Sequence, residues 1–149
     1  MKKQKDKNLR SIEVAAAWFL RIALAAGFLS AVADRFGLWG PPGAANVAWG
    51  SWPRFLDYVA VLNGHAPTML IPVLGWISTI AEVVIAIGLL IGWQLRRFAF
   101  AAGVLLLLFA LAMTFSISVK AAPEASVFAA SAGAFVLAAI ADSGFIRSP

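Results

Sequence analysis

Long apolar runs separated by short polar segments dominate the hydrophobic pattern of this chain. Four of the runs predict membrane-spanning helices, because about 20 apolar residues rising 1.5 Å each match a hydrocarbon core roughly 30 Å thick. The predicted spans cover about residues 12–33, 70–92, 98–118 and 125–141. The pattern therefore predicts an all-α membrane protein, a four-helix transmembrane bundle built as a single domain over residues 1–149.

The connection between the first two predicted spans, residues 34–66, is too long for a tight turn and is rich in Gly, Pro and Trp. Apolar side chains recur there at helical spacing on one face, and Ser51 and Asn63 are suitable residues for the two helix ends. The apolar positions are Trp52, Phe55, Leu56, Val59 and Leu62. This segment predicts a short amphipathic helix lying in the membrane interface of the first extracytoplasmic loop.

Composition agrees with the membrane assignment and narrows the chemistry. Hydrophobic residues make up 62% of the chain and charged residues 13%, with a mean hydropathy of +0.87. The chain has no cysteine, which excludes disulfides, thiol redox chemistry and cysteine-bound iron–sulfur clusters within it. A single histidine leaves no cluster with metal-ligand spacing. No metal site and no covalently bound cofactor are therefore expected.

The cations are unevenly distributed, and their distribution predicts the orientation. With four crossings, eight cations lie on the side of the termini, three lie on the opposite side, and Arg21 lies in the membrane. The eight are Lys2, Lys3, Lys5, Lys7, Arg10, Arg96, Arg97 and Arg147, and the three are Arg35, Arg54 and Lys120. Because cations accumulate on the cytoplasmic side, both termini are expected there, and the basic tail is expected to meet membrane lipid rather than nucleic acid.

The first apolar run has a second interpretation. A basic tail, an apolar stretch and the small residues Ala31 to Ala33 also fit a secretory signal peptide with its cleavage site. The stretch is long for a signal peptide, and Arg21 lies within it. Cleavage would leave three spans, and the intact mass of the membrane form distinguishes the two cases.

Glu82, near the middle of the second span, is the residue that most needs an explanation. A bare carboxylate at that depth is costly, so it must face the protein interior and find a partner. Measured from the inner ends of their helices, Arg21 lies about 13 Å deep and Glu82 about 15 Å deep. A buried Arg21–Glu82 ion pair is therefore predicted. The alternatives are an Arg21 that reaches the cytoplasmic headgroups and a Glu82 that bonds a neighbouring hydroxyl or carbonyl group.

If the pair is functional, it suits a site that holds a quinone carbonyl or relays a proton. Trp76 and Thr79, on the same span as Glu82, are candidates to line the ligand pocket. His65 lies just before this span at the outer surface, where a quinol that loses protons needs an acceptor. No Ser-His-Asp set, phosphate-binding glycine loop or pair of catalytic carboxylates is present, so hydrolysis and phosphoryl transfer have no support.

From about Leu20 to Ala141 the chain resembles the DoxX family of small four-span bacterial membrane proteins. Short motifs in the first two spans and at their ends carry this resemblance. They comprise Arg21, Gly27-Phe28-Leu29, Asp34-Arg35-Phe36-Gly37, Ala81-Glu82, Gly88-Leu89-Leu90, Gly92 and Arg96 or Arg97. The glycine-rich ending of the family is not matched by residues 142–149.

The resemblance implies a four-helix bundle in the bacterial inner membrane. It also implies kinship with the small subunit of thiosulfate:quinone oxidoreductase and with quinol-oxidase-related proteins. The function expected is a quinone- or lipid-binding subunit that serves a redox partner protein, and the sequence leaves open whether the chain is itself an enzyme. The alternative is a non-enzymatic scaffold or small-solute carrier in which the buried charges only stabilise the bundle.

Overall fold

The fold was obtained as a computed structural model, which describes the backbone of residues 2–142 and the side chains of residues 11–141. The described part of the chain consists of helices and connecting loops, without a β-strand. The helices are α1 (Lys2–Arg35), α2 (Trp52–Leu62), α3 (Ile71–Ile91), α4 (Leu95–Ser116), α5 (Ala121–Glu124) and α6 (Val127–Asp142). The side chains of the basic N-terminal tail, and the tail from residue 143 that carries Arg147, lie outside the described residues.

Within the described residues, three helical segments are long and apolar enough to cross a membrane: Ser11–Arg35, Thr68–Ile91 and Leu95–Ser116. They correspond to the first three predicted spans. The fourth predicted span corresponds to a shorter apolar helix, Val127–Ala141. The described residues are thus all-helical, with three long apolar helices that are compatible with a membrane helical bundle.

Local sequence explains where the second and third long helices begin and end. Pro72 lies in the first turn of α3, where its missing N–H has no helical partner to lose. Gly92 ends α3 in the left-handed conformation, with φ of +80°. After the short connection through Gln94, α4 begins at Leu95 and ends at Ser116, which is two to three residues before the predicted bounds at each end.

The last apolar segment departs from the prediction at its start. The fourth span is predicted to begin at residue 125, but the helix begins later, and Pro123 and Glu124 belong to the separate turn α5. Ser126 then adopts a positive φ of 56°, which breaks the helical path before α6 begins at Val127. The carbonyl of Ser126 accepts the first hydrogen bond of α6, from the N–H of Ala130.

Four helices enclose the centre of the molecule. α1 packs against α3 and α6, and α4 packs against the same two helices, so α1 and α4 lie at opposite corners. Small residues permit the close contacts: Gly88 faces the Phe98 ring, and Gly103 faces the Phe135 ring. The buried core between these helices is dominated by alanine and leucine, including Ala25, Leu89, Ala99, Ala134 and Leu137.

The predicted amphipathic helix is present as α2, which packs against α3. Its apolar face buries Phe55 and Val59 against Ile71 at the start of α3. Ser51 occupies the N-cap position without a side-chain cap hydrogen bond, and Asn63 ends the helix, as predicted. Gly75 admits this contact, since a Cβ there would lie 2.7 Å from Leu56 Cδ2.

Candidate ligand-binding cavity

Glu82 is buried in an ion pair, and its partner is Arg35. The Nη2 atom of Arg35 donates to both carboxylate oxygens, at 2.6 Å to Oε1 and 2.8 Å to Oε2. Nη1 donates to Thr79 Oγ1 at 2.7 Å, and that hydroxyl donates to the carbonyl of Gly75 at 2.8 Å. Glu82 is 1% exposed and Arg35 is 4% exposed, so both charges are neutralised inside the protein.

The predicted Arg21–Glu82 pair is therefore corrected to Arg35–Glu82. Arg21 is also buried, but it donates from Nε to the Leu89 carbonyl at 2.9 Å and from Nη2 to the Leu90 carbonyl at 3.1 Å. Its guanidinium lies 4.0 Å from the centre of the Trp18 ring. Arg21 thus caps the C-terminal end of α3, where a cation is favourable, and does not pair with Glu82.

Side-chain direction explains the correction. Helical side chains lean toward the N-terminus of their own helix, and the contacts of α1 and α3 show that the two helices run antiparallel. Arg35 lies about 21 Å along α1 beyond Arg21 and leans back toward the centre. Glu82 leans toward the start of α3 and therefore toward Arg35. The lean that separates Arg21 from Glu82 brings Arg35 and Glu82 together.

Asp34, the neighbour of Arg35, fixes the loop that covers the pair. Its carboxylate accepts hydrogen bonds from the backbone N–H groups of Ala48 at 2.7 Å, Gly50 at 2.9 Å and Trp49 at 3.3 Å. The turn needs glycine, because Gly50 has φ of +67° and a Cβ there would lie 2.5 Å from the nitrogen of Pro42. This anchoring places the Trp49 ring 5.5 Å from the Arg35 guanidinium carbon.

One donor of Arg35 is left without a partner. Its Nε is buried and makes no hydrogen bond within the described part of the chain. The face of the guanidinium packs on the Phe55 ring, 4.0 Å from its centre. An unsatisfied buried donor costs about 1–3 kcal/mol, so such an atom marks a position where a further acceptor is favourable.

Arg35 and Glu82 lie on the wall of a partly open cavity of about 1020 Å³ between the helices. The lining is mainly apolar and comes from α1, α2, α3, α4 and the start of α6, with aromatic rings from Trp49, Phe55 and Phe109. A cavity of this size with few polar groups is typical of a site for an apolar small molecule.

Three further polar side chains line the cavity, and they differ in what they can still bind. Ser78 donates its hydroxyl to the Gly75 carbonyl at 3.0 Å, and Asn63 donates its amide to the Val59 carbonyl at 2.9 Å. The Tyr58 hydroxyl makes no hydrogen bond within residues 11–141. Burial raises the pKa of Tyr58, so its O–H remains a donor at neutral pH.

The other predicted pocket residues lie outside this cavity. Thr79 is buried and holds Arg35 in place. Trp76 packs beside Trp52 with ring centres 4.5 Å apart and remains 48% exposed. His65 is exposed in the loop before α3. Arg35 is the charged residue of the cavity wall that sequence reasoning missed, because it had been counted with the outer loops.

Within the side chains that the structure describes, no group of three or more His, Cys, Asp and Glu residues could hold a metal ion. Comparisons with protein-family models, with curated proteins and with solved structures gave no match to this chain. What the fold and the site define, within the described residues, is an all-helical protein with three helices long and apolar enough to cross a membrane, a largely apolar cavity between its helices, and a buried ion pair on the cavity wall.

Proposed function

We propose that this protein is a DoxX-like subunit of the bacterial inner membrane that lodges a quinone or another lipid-like ligand between its helices and serves a redox partner. The observation that carries the proposal is the cavity of about 1020 Å³ with Arg35 and Glu82 on its wall. The apolar lining suits a hydrocarbon tail, and the few polar groups suit a small polar head.

The proposed topology has four crossings, with α6 as the fourth and both termini in the cytoplasm. Burial of Arg35 in the ion pair removes it from the outer loops, so the cation count becomes eight against two. This asymmetry favours the orientation. In it, α2 lies at the outer membrane interface, and its buried face closes the outer end of the cavity.

The chain has no cysteine and only one histidine, so it supplies no ligand set for an iron–sulfur cluster or a bis-histidine haem. Electrons in the proposed function therefore come from a bound quinone or from a partner protein. The role of this subunit is then to bind and position the quinone, and the redox partner carries out the remaining chemistry.

A scaffold or small-solute carrier is the second candidate. The observation in its favour is that the buried charges bind each other: Arg35 of α1 donates hydrogen bonds to Glu82 and Thr79 of α3. An ion pair that satisfies itself in this way stabilises the packing of two helices whether or not the cavity is filled.

Extraction of bound quinone from the purified protein distinguishes the ligand-binding subunit from the scaffold or carrier. Gly27 lines the cavity, and a Cβ at this position would have no atom within 4 Å. Gly27→Phe is therefore expected to fill cavity space without disturbing the packing, and Gly27→Ala is the matched control. Quinone extracted in a reproducible molar ratio from wild type and Gly27→Ala, and lost from Gly27→Phe at unchanged melting temperature, supports the proposal. Absence of any extracted ligand from all three favours the scaffold.

A further inference from the structure

Arg35 and Tyr58 each carry, on the cavity wall, a hydrogen-bond donor without a partner in the described chain. One is the buried Nε of Arg35 and the other is the hydroxyl of Tyr58. Both residues flank the same ring: the Arg35 guanidinium carbon lies 5.5 Å from the centre of Trp49, and the Tyr58 ring lies 5.6 Å from it. The two donors therefore belong to one end of the cavity, the end beside α2.

The charge at this end is already balanced. Arg35 binds both oxygens of Glu82, so an anionic ligand would have to displace Glu82 or remain an uncompensated charge in an apolar cavity. A cationic ligand would compete with Arg35 for Glu82 in the same way. The site thus favours a ligand without net charge.

The hydrogen-bond donors on the cavity wall restrict the choice among uncharged ligands. The unpartnered Nε–H can only donate, because a guanidinium has no acceptor, and the Tyr58 O–H is also available to donate. The aromatic rings of Trp49 and Phe55 supply flat apolar surface beside these donors. A planar head that carries acceptor oxygens satisfies the donors and packs against the rings.

We propose that the α2 end of the cavity is the head-group subsite, and that it takes an uncharged, hydrogen-bond-accepting head, such as a carbonyl-bearing ring, through Arg35 Nε and the Tyr58 hydroxyl. This inference rests on the proposed function and specifies which end of the ligand binds where. The tail then lies along α1, whose lining residues extend from Arg35 to Ala23, a length of about 18 Å at 1.5 Å per residue.

Three probes with decyl tails test the subsite: 2-decyl-1,4-benzoquinone, decylbenzene and decanoate. Their binding to the detergent-solubilised full chain is measured by native mass spectrometry across a titration. Tyr58→Phe removes one donor and leaves the ion pair intact. Ser78→Ala is the matched control, because Ser78 lines the cavity but donates its hydroxyl to Gly75.

We expect the quinone probe to bind more tightly than decylbenzene or decanoate. Tyr58→Phe should weaken quinone binding by about 2- to 10-fold, as for one lost hydrogen bond, and leave decylbenzene binding unchanged. Ser78→Ala should match wild type. Equal binding of the quinone and decylbenzene, or no effect of Tyr58→Phe, would contradict the head-group subsite. It would leave the cavity as a binding site for apolar ligands. Tighter binding of decanoate overturns the uncharged head. Binding of none of the probes overturns the subsite and the proposed function together.

Discussion

Arg35 makes the largest set of polar and aromatic contacts on the cavity wall. It donates to Glu82 and Thr79, packs its face on Phe55 and retains one buried donor. Removing one partner of a buried pair is costly, because the remaining charge has neither water nor a counter-ion. The site therefore depends on both residues at once.

Replacing Glu82 alone tests this dependence. We expect Glu82→Gln to destabilise the fold by about 3–5 kcal/mol, since it leaves the Arg35 guanidinium uncompensated. Tryptophan fluorescence during heat unfolding in detergent measures the change. Glu124→Gln is the control: its pair with Lys120 is exposed, and losing it should cost less than about 1 kcal/mol. The double variant Arg35→Gln, Glu82→Gln should lose less stability than the two single losses added together, and strictly additive losses would contradict the pairing.

Sequence reasoning identified Glu82 as the residue that needs a partner, but it chose the wrong arginine. The choice rested on depths measured from assumed helix ends, and it counted Arg35 as an outer-loop cation. In the structure α1 remains helical through Arg35, and Arg21 lies level with the end of α3. On antiparallel helices the side chains of Arg21 and Glu82 lean apart, which argues against that pair.

At the scale of helices, glycines set the distances between neighbouring elements. A Cβ at Gly88 would lie 2.3 Å from the Phe98 ring, at the contact of α3 with α4. The sequence showed the spacing of Gly88 and Gly92 but not what each residue faces. Gly92 does not set a distance between helices; it ends α3 with a positive φ and lies beside Arg21.

Two glycine substitutions of the same kind should have opposite effects. Gly88→Ala should destabilise the protein by about 1–3 kcal/mol through overpacking against Phe98. Gly27→Ala meets no atom within 4 Å and should stabilise by up to about 1 kcal/mol through helix propensity. Heat unfolding of the two variants beside wild type measures both. A Gly88→Ala variant as stable as Gly27→Ala would show that α3 and α4 are not in close contact there.

The position of α2 depends on Asp34, which binds three backbone N–H groups just before this helix begins. We expect Asp34→Asn to weaken these charge-assisted hydrogen bonds by about 1–3 kcal/mol in total. Faster hydrogen exchange of the Ala48 and Gly50 amides measures the effect. Asp57→Asn, on the exposed side of α2, is the control and should leave those amides protected. Unchanged exchange in Asp34→Asn would mean that the loop is held by other contacts.

Most helices were predictable because apolar runs and their ends are encoded locally. The break at Ser126 was missed because Pro123 and Glu124 form a strong helix-start signal, which here opens only the turn α5. α2 was predicted from its apolar face, but its place on the cavity wall depends on contacts with distant residues. The periodic pattern of apolar residues gives no information about contacts with residues that are distant in sequence.

At the scale of the whole molecule, the cavity was not predictable in its size or in its lining. Its volume depends on how four helices leave space between small side chains, and no single segment encodes that space. What the sequence predicted was the need for an internal polar partner for Glu82. The membrane helices, by contrast, follow directly from composition and length.

The cysteine-free sequence allows a direct test of topology. Single cysteines replace His65 and Gln94, and a third variant has one added after Pro149; each is probed with a membrane-impermeant maleimide on intact cells. The four-span proposal predicts labelling at position 65 from outside, and labelling of the other two only after permeabilisation. Labelling of the added C-terminal cysteine on intact cells would instead mean that α6 does not cross. An intact mass beginning at Asp34 would show that the first span is cleaved.

The sequence separation of the ion pair has a consequence for biogenesis. Arg35 and Glu82 are 47 residues apart, so at about 5–20 residues per second the ribosome delivers the carboxylate some 2 to 9 seconds after the guanidinium. During that interval the first helix has no counter-ion on α3, but Arg35 is its last residue and the Gly- and Pro-containing loop follows directly. Until α3 has been made, the arginine therefore lies next to a polar loop that water can reach, and we expect its burial to be coupled to the arrival of α3.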